Sequence, residues 1–129
     1  MVYNTSQLLI MSFYNEEGEF CMTIAVAADG QEPQSRPADR FARAPVFLLF
    51  DGNGTFLEAL NMVAGEHGAA AAAVGLLARK GVSVVLAPRL GPNAVSALAA
   101  ANIKAYLSEG ATAADCVARY LSGEARVLE

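Results

Sequence analysis

Tryptophan is absent from this 129-residue chain, histidine occurs once (His67) and cysteine twice (Cys21 and Cys116). The two cysteines lie far apart and form no CxxC pair, so the sequence encodes neither a zinc site nor a disulfide framework. A single histidine does not make a metal centre without partners, and no ligand-spaced partners stand near it. Basic residues are also scarce: nine lysines and arginines against thirteen acids give a net charge of −4. A duplex nucleic-acid binder needs a broad basic footprint, so that class is not expected. Long apolar runs are missing as well. Ala69–Ala78 falls short of the ~20 residues that span a bilayer. Leu8–Met11 is a short apolar run with acids after it and no basic start, unlike a secretory signal. Walker, dinucleotide-glycine and Ser/His/Asp patterns do not occur. The expectation is a cytoplasmic protein with no membrane and no nucleic-acid partner.

What is present is apolar and well punctuated. The composition is 54% apolar and 17% charged, as in globular proteins. The length suits one domain with a real core. Residues 1–20 read as an N-terminal extension of uncertain structure, and 21–129 as the domain.

Cys21–Ala28 (CMTIAVAA) is β-branched and apolar, the pattern of a central strand buried on both faces. Val46–Phe50 is a second strand. Asp51-Gly52-Asn53-Gly54 then marks a hairpin, because Asn and Gly tolerate the positive φ of a tight turn. Thr55–Met62 returns as an antiparallel third strand, with Glu58 and Asn61 suggesting an edge. Ala69–Lys80 is rich in strong helix formers and is stopped by Gly81. Val82–Leu86 is a short buried strand. Pro92 opens a helix to Ala101, with Asn102 suited to a left-handed cap. Ile103–Leu107 is the last strand. Thr112 and Asp115 resemble a capping box before a final helix, whose Ala113, Cys116, Val117, Tyr120 and Leu121 share one face. The predicted order is β-β-β-α-β-α-β-α: an α/β domain with a mixed five-stranded sheet.

Between the first two strands runs Gly30–Pro45 (GQEPQSRPADRFARAP), 16 residues with Arg36, Arg40 and Arg43. Hairpin loops usually have ~2–5 residues, and long ordered loops on a scaffold are where binding sites gather. Arg40 and Arg43 stand three apart, and guanidinium forks suit multi-oxygen or multi-sulfur anions. The plainer reading, that these arginines are solvated or pair with Glu32 and Asp39, is also open. His67 offers one imidazole, and Gly91-Pro92-Asn93 offers the unpaired amides of a helix start. Cys116, on the apolar face of the last helix, reads as core. Asp29, Asp51 and Glu58 would have to converge for a two-metal phosphodiesterase, and Asp51 lies in the far hairpin turn.

Several of these segments together resemble a known family. Ile24–Gly30, Arg40–Asp51 (RFARAPVFLLFD), Glu66–Ala94 (EHGAAAAAVGLLARKGVSVVLAPRLGPNA) and Ala101–Leu107 look like the dinitrogenase iron–molybdenum cofactor biosynthesis (NifX-like) proteins. The resemblance spans roughly Met22 to Ser122. It implies a ribonuclease H-like three-layer fold without nuclease activity, and it is this resemblance alone that implies a protein that is not an enzyme. It also implies noncovalent binding of an iron–sulfur or molybdenum-containing cluster or its precursor, with cofactor-assembly proteins as partners. The family's loop commonly reads His-Phe-Gly-Arg-Ala. Here Arg40, Phe41, Ala42, Arg43 and Ala44 stand in those places, so a metal ligand is exchanged for a cation. His67-Gly68 matches a recurrent pair before the first helix, and Gly91 to Ala94 the second helix start. The expected cofactor-binding residues are therefore Arg40, Phe41, Arg43, His67, Gly68, Gly91 and Asn93, with His67 as the one metal ligand. The rival expectation is an interaction module of the same fold that has lost cluster binding. Oligomeric state is left open.

Overall fold

In the computed structural model, residues 22–39, 41, 44–62 and 69–127 are described. The elements are β1 (Thr23–Ala28), β2 (Val46–Asp51), β3 (Phe56–Asn61), α1 (Ala69–Arg79), β4 (Val84–Ala87), α2 (Pro92–Ala100), β5 (Lys104–Leu107) and α3 (Ala113–Leu121). The extension lies outside the described residues, as does Cys21.

The strands form one sheet in the order β3-β2-β1-β4-β5. β1 pairs antiparallel with β2 and parallel with β4, and β4 pairs parallel with β5. The mixed five-stranded sheet expected from the sequence is thus present. Alternation along each strand separates two cores. Ala25, Ala27, Phe47, Leu49, Val85 and Ala105 face one side, where they meet Val74 and Leu77 of α1 and Leu98 of α2. Ile24, Val26, Leu48, Phe50 and Leu86 face the other, where they meet Ala113, Cys116 and Val117 of α3. Two helices on one face and one on the other give three layers. Each fully buried Ile, Leu or Phe contributes ~1.5–3 kcal/mol of apolar transfer.

All three helices among the described residues end alike. A residue at positive φ (Gly81 at 76°, Asn102 at 60°, Gly123 at 86°) turns the chain. The next amide then reaches back five residues: Val82 to Leu77 O, Ile103 to Leu98 O and Glu124 to Arg119 O. This is the Schellman arrangement, with glycine or asparagine where a left-handed residue is needed. It also corrects two strand starts. Val82 and Ile103 spend their amides closing helices, so β4 begins at Val84 and β5 at Lys104. β4 runs on to Ala87, β3 is trimmed to Phe56–Asn61, and α1 and α2 stop at Arg79 and Ala100.

The hairpin follows the sequence signal: Asp51 Oδ1 accepts from the amides of Asn53 and Thr55, both at 2.9 Å, and Gly54 has φ 86°. β3 is an edge strand, with Glu58 exposed and 3.4 Å from Lys80 Nζ. A register shift at Leu49/Phe50 sets Leu57 outward, 51% exposed. On α3, Thr112 Oγ1 accepts from the Asp115 amide at 3.1 Å, as the capping pattern requires. Leu121 departs from the expected apolar face, being 40% exposed at the helix end.

Candidate functional site

Sheet direction gathers the connections. Ala28, the last residue of β1, pairs with Val46, and Val46 pairs with Asn61, the last residue of β3. β4 and β5 run parallel to β1. The carboxyl ends of β1, β3, β4 and β5 therefore share one edge of the sheet. From it leave the arginine loop, the connection to α1, the Pro88–Gly91 link to α2 and the link to α3. Ligands in parallel α/β sheets gather at this edge. α1 and α2 both start there, on the same face.

The arginine loop straddles that edge. Its first half is tied to β1: Asp29 N–H donates to Arg36 O (2.9 Å), Ala38 N–H to Ala27 O (2.8 Å), and Ala28 bridges Pro37. The tip is closed by Ser35, whose amide donates to Glu32 O (2.9 Å) and whose Oγ accepts from the Glu32 amide (3.1 Å). Gly30 leaves room for this, since a Cβ there would lie 2.6 Å from Ser35 Oγ. The tip then docks on α3: Ala113 N–H donates to Ser35 O (2.8 Å) and Ala114 N–H to Pro33 O (2.9 Å). The second half crosses to the opposite face. Ala38, Phe41 and Ala44 are buried in the core beneath α1 and α2. Phe41 is 3% exposed and packs edge-on against Phe47, with ring centroids 5.2 Å apart. It therefore supports the loop from below, rather than presenting a ring to solvent. Gln31 Nε2 donates to Asn61 Oδ1 at 2.6 Å, and the Met62 amide to Pro45 O at 2.8 Å, joining the loop to the end of β3.

The three helix starts differ. At α3 the loop carbonyls, the Thr112 hydroxyl and Asp115 in the first turn satisfy the amides and the dipole. At α2 the cap is Gly91, extended at φ −78° and ψ 169°, with no side-chain bond. Pro92 has no N–H, and among the described residues nothing accepts from the Asn93 and Ala94 amides. Gly91, Pro92 and Asn93 are exposed. Neither α1 nor α2 has an acid in its first turn. The α2 start, described through its cap, is thus electrostatically open to an external anion.

Arg40, Arg43, His67 and Gly68 lie outside the described residues, so of the sequence-based site set the structure positions Phe41, Gly91 and Asn93. Arg89 was missed. It is exposed between β4 and the open start of α2, and it makes no ion pair among the described residues. Its signal was an arginine directly before a Leu-Gly-Pro helix start. Among the described residues the ion pairs are Lys80–Glu58 and Arg126–Glu109, so neither Glu32 nor Asp39 neutralises Arg36.

The rival chemistries fare differently. Asp51 pairs with Thr23 at the amino end of β1, whereas Asp29 follows Ala28 at the other end. A six-residue strand separates them by roughly 20 Å. No group of three or more His, Cys, Asp or Glu residues able to hold a metal occurs among the described residues. Cys116 is 1% exposed in the core, and burial, reinforced by Asp115, pushes its thiol up to about 11. It is core rather than thiolate. An apolar groove of about 260 Å³ lies between α2 and β5, lined by Leu90, Val95, Leu98, Ile103, Tyr106 and Val127. Lys104 is the one charged residue on its lining, and a single cation does not make a cluster of donors for a polyanion. No described helix is long and apolar enough to cross a membrane.

Fold and edge together define a small α/β domain that offers an open helix start at Gly91 and a long arginine-bearing loop at one end of its sheet. The chain belongs to the dinitrogenase iron–molybdenum cofactor family, whose model matches residues 22–123. It is similar to the apo form of the orange protein from Desulfovibrio gigas, with 34% identity and a TM-score of 0.77, over 82% of this chain and 92% of that one. It is also similar to a provisionally named NifB protein of the DUF35 family from Thermotoga, with 32% identity, TM-score 0.73 and the same coverage. A provisionally named dinitrogenase from Methanocaldococcus jannaschii shares the fold at 13% identity and TM-score 0.63, over 84% of this chain and 95% of that one. No curated protein matches significantly.

Proposed function

We propose that the protein binds and carries an anionic metal–sulfur cluster, an iron–sulfur or molybdenum-containing unit or its precursor, during metallocofactor assembly. The observation that carries this reading is the pair of helix starts without acids, on one face, at the edge from which the arginine loop leaves. Membership of the family supports it, as does similarity to a protein described in an apo form.

A thiometallate or iron–sulfur cluster is a compact polyanion, and the donor set suits it. Arg40 and Arg43 would supply charge and forked N–H donors, with Arg89 adding a third cation. The Asn93 and Ala94 amides at the Gly91 cap would take sulfur or oxygen atoms at the positive end of α2. His67, followed by Gly68, would be the one imidazole able to ligate metal. Phe41 would hold the loop at its working height. No thiolate is required, which agrees with the buried, protonated Cys116. Each charge-assisted hydrogen bond of this kind contributes ~1.5–3 kcal/mol.

The test is anaerobic addition of a preformed cluster, followed by gel filtration with detection of cluster absorption. Wild type should retain the cluster and the Arg43→Ala, His67→Ala double variant should lose most of it. Equal retention would remove these residues from the site.

A further inference from the structure

The arginine loop is fastened on the face opposite to the one where its second half lies. Its tip gives two backbone carbonyls, Pro33 O and Ser35 O, to the first two amides of α3. Those amides have no acceptor within their own helix, so the loop supplies what α3 lacks. The loop in turn gains a rigid mooring: Ala113 is fully buried, and Gly110, at φ 152°, sits so close that a Cβ would meet the Asp115 Cβ at 2.8 Å. From this mooring the chain bridges Ala28, crosses the sheet edge and enters the other core at Ala38 and Phe41. Few residues separate the mooring from the segment that reaches the ligand face, and β1 holds both.

We propose that Ser35 and the first turn of α3 position the arginine loop, so that ordering this turn and occupying the loop's far side form one coupled equilibrium. Ser35 is the pivot. Its amide and hydroxyl close the tip against Glu32, and its carbonyl meets Ala113. It acts on the ligand only through the loop. Linkage is reciprocal: if the mooring favours binding, binding must strengthen the mooring by the same factor. The inference rests on the cluster-carrier reading, since it takes the loop's far side as the ligand face.

The experiment is amide hydrogen exchange on the full chain under anaerobic conditions, with and without saturating tetrathiomolybdate as the probe anion. Gel filtration of the same samples records whether the probe is held. The expected result is retention of the probe and slowing of Ala113 and Ala114 exchange by at least about fivefold. The Asp115 amide, bonded to the hydroxyl of its neighbour Thr112, should slow less. Retention with uniform slowing, or with none at Ala113 and Ala114, overturns the coupling while leaving the carrier reading intact. A chain that retains no probe overturns both. Ser35→Ala gives a second arm: it removes the Glu32 contact without touching the helix. It should bind the probe at least about threefold more weakly at an unchanged melting temperature, and wild-type affinity would contradict the proposal. Ala113→Pro removes the amide donor at a position where helices accept proline, and should weaken binding likewise.

Discussion

The amide of Ala113 donates to the carbonyl of Ser35 at 2.8 Å, and this bond ties the start of α3 to a loop that ends on the other side of the sheet. Two consequences follow for the stability of this corner. The helix start is satisfied from outside, so its own cap at Thr112 is one contributor among several. And the loop has an ordered foundation in spite of its length.

Thr112→Ala should therefore lower stability by ~1 kcal/mol, the usual cost of losing a threonine N-cap. Urea denaturation would check this. A loss above ~2 kcal/mol would mean that the cap also maintains the loop contacts.

Phe41→Ala should be far more damaging, in the ~3–5 kcal/mol range for a buried phenylalanine. The ring is 3% exposed and packs on Phe47, so truncation opens a cavity under the loop. Phe41→Leu should cost less. If Phe41→Ala were neutral in denaturation, the placement of Phe41 as a core residue would be wrong.

The glycines divide sharply. Gly110→Ala should destabilise, because φ is 152° and a Cβ would press on Asp115 and the Cys116 backbone. Gly91→Ala should fold like wild type, since its φ is −78° and nothing lies within 4 Å of a Cβ there. Melting temperatures of the two variants would decide the matter.

Alkali should weaken the fold through Cys116. Its folded thiol is raised from 9.0 to about 11, mainly by burial and then by Asp115. A raised pKa means that the native state holds the proton longer than the unfolded chain does. The contribution is thus fully present below pH 9 and is lost as pH climbs towards 11. The slope attributable to this group is at most about 1.4 kcal/mol per pH unit. Tyr120, raised by burial and by Tyr106, acts in the same direction. Cys116→Ala should flatten the pH 9–11 decline in urea midpoints; an unchanged slope would assign that decline to other groups.

Much of the fold was legible because it rests on local rules. β1 and β2 were clear from their apolar runs, the hairpin from Asp51 to Gly54, and the helix ends from Gly81, Asn102 and Gly123. Strand starts after helices were misjudged because Val82 and Ile103 look like strand residues, yet their amides serve the preceding helix. The docking of Pro33 and Ser35 on α3 left no trace in the sequence, since backbone carbonyls carry no residue signature. Nor did the pairing of Tyr106 with Val127, which lays the tail beside β5. The candidate site was legible only as separate segments. The arginine loop and the Gly91 start were visible by charge and turn chemistry. Arg89 was hidden, because a single arginine gains meaning only once β4 delivers it to the same edge as α2.

The central claim is that an anionic metal–sulfur ligand sits at the carboxyl edge of the sheet, on the α1–α2 face. The most direct measurement is an anaerobic titration with tetrathiomolybdate, followed through backbone amide chemical shifts. The account expects the largest shifts at Asn93, Ala94 and Arg89 and across Ala38–Pro45, weakening as salt screens the charges. Saturable shifts confined to the hairpin at Asp51–Gly54, at the opposite edge, or to the groove at Ile103 and Val127, would contradict it.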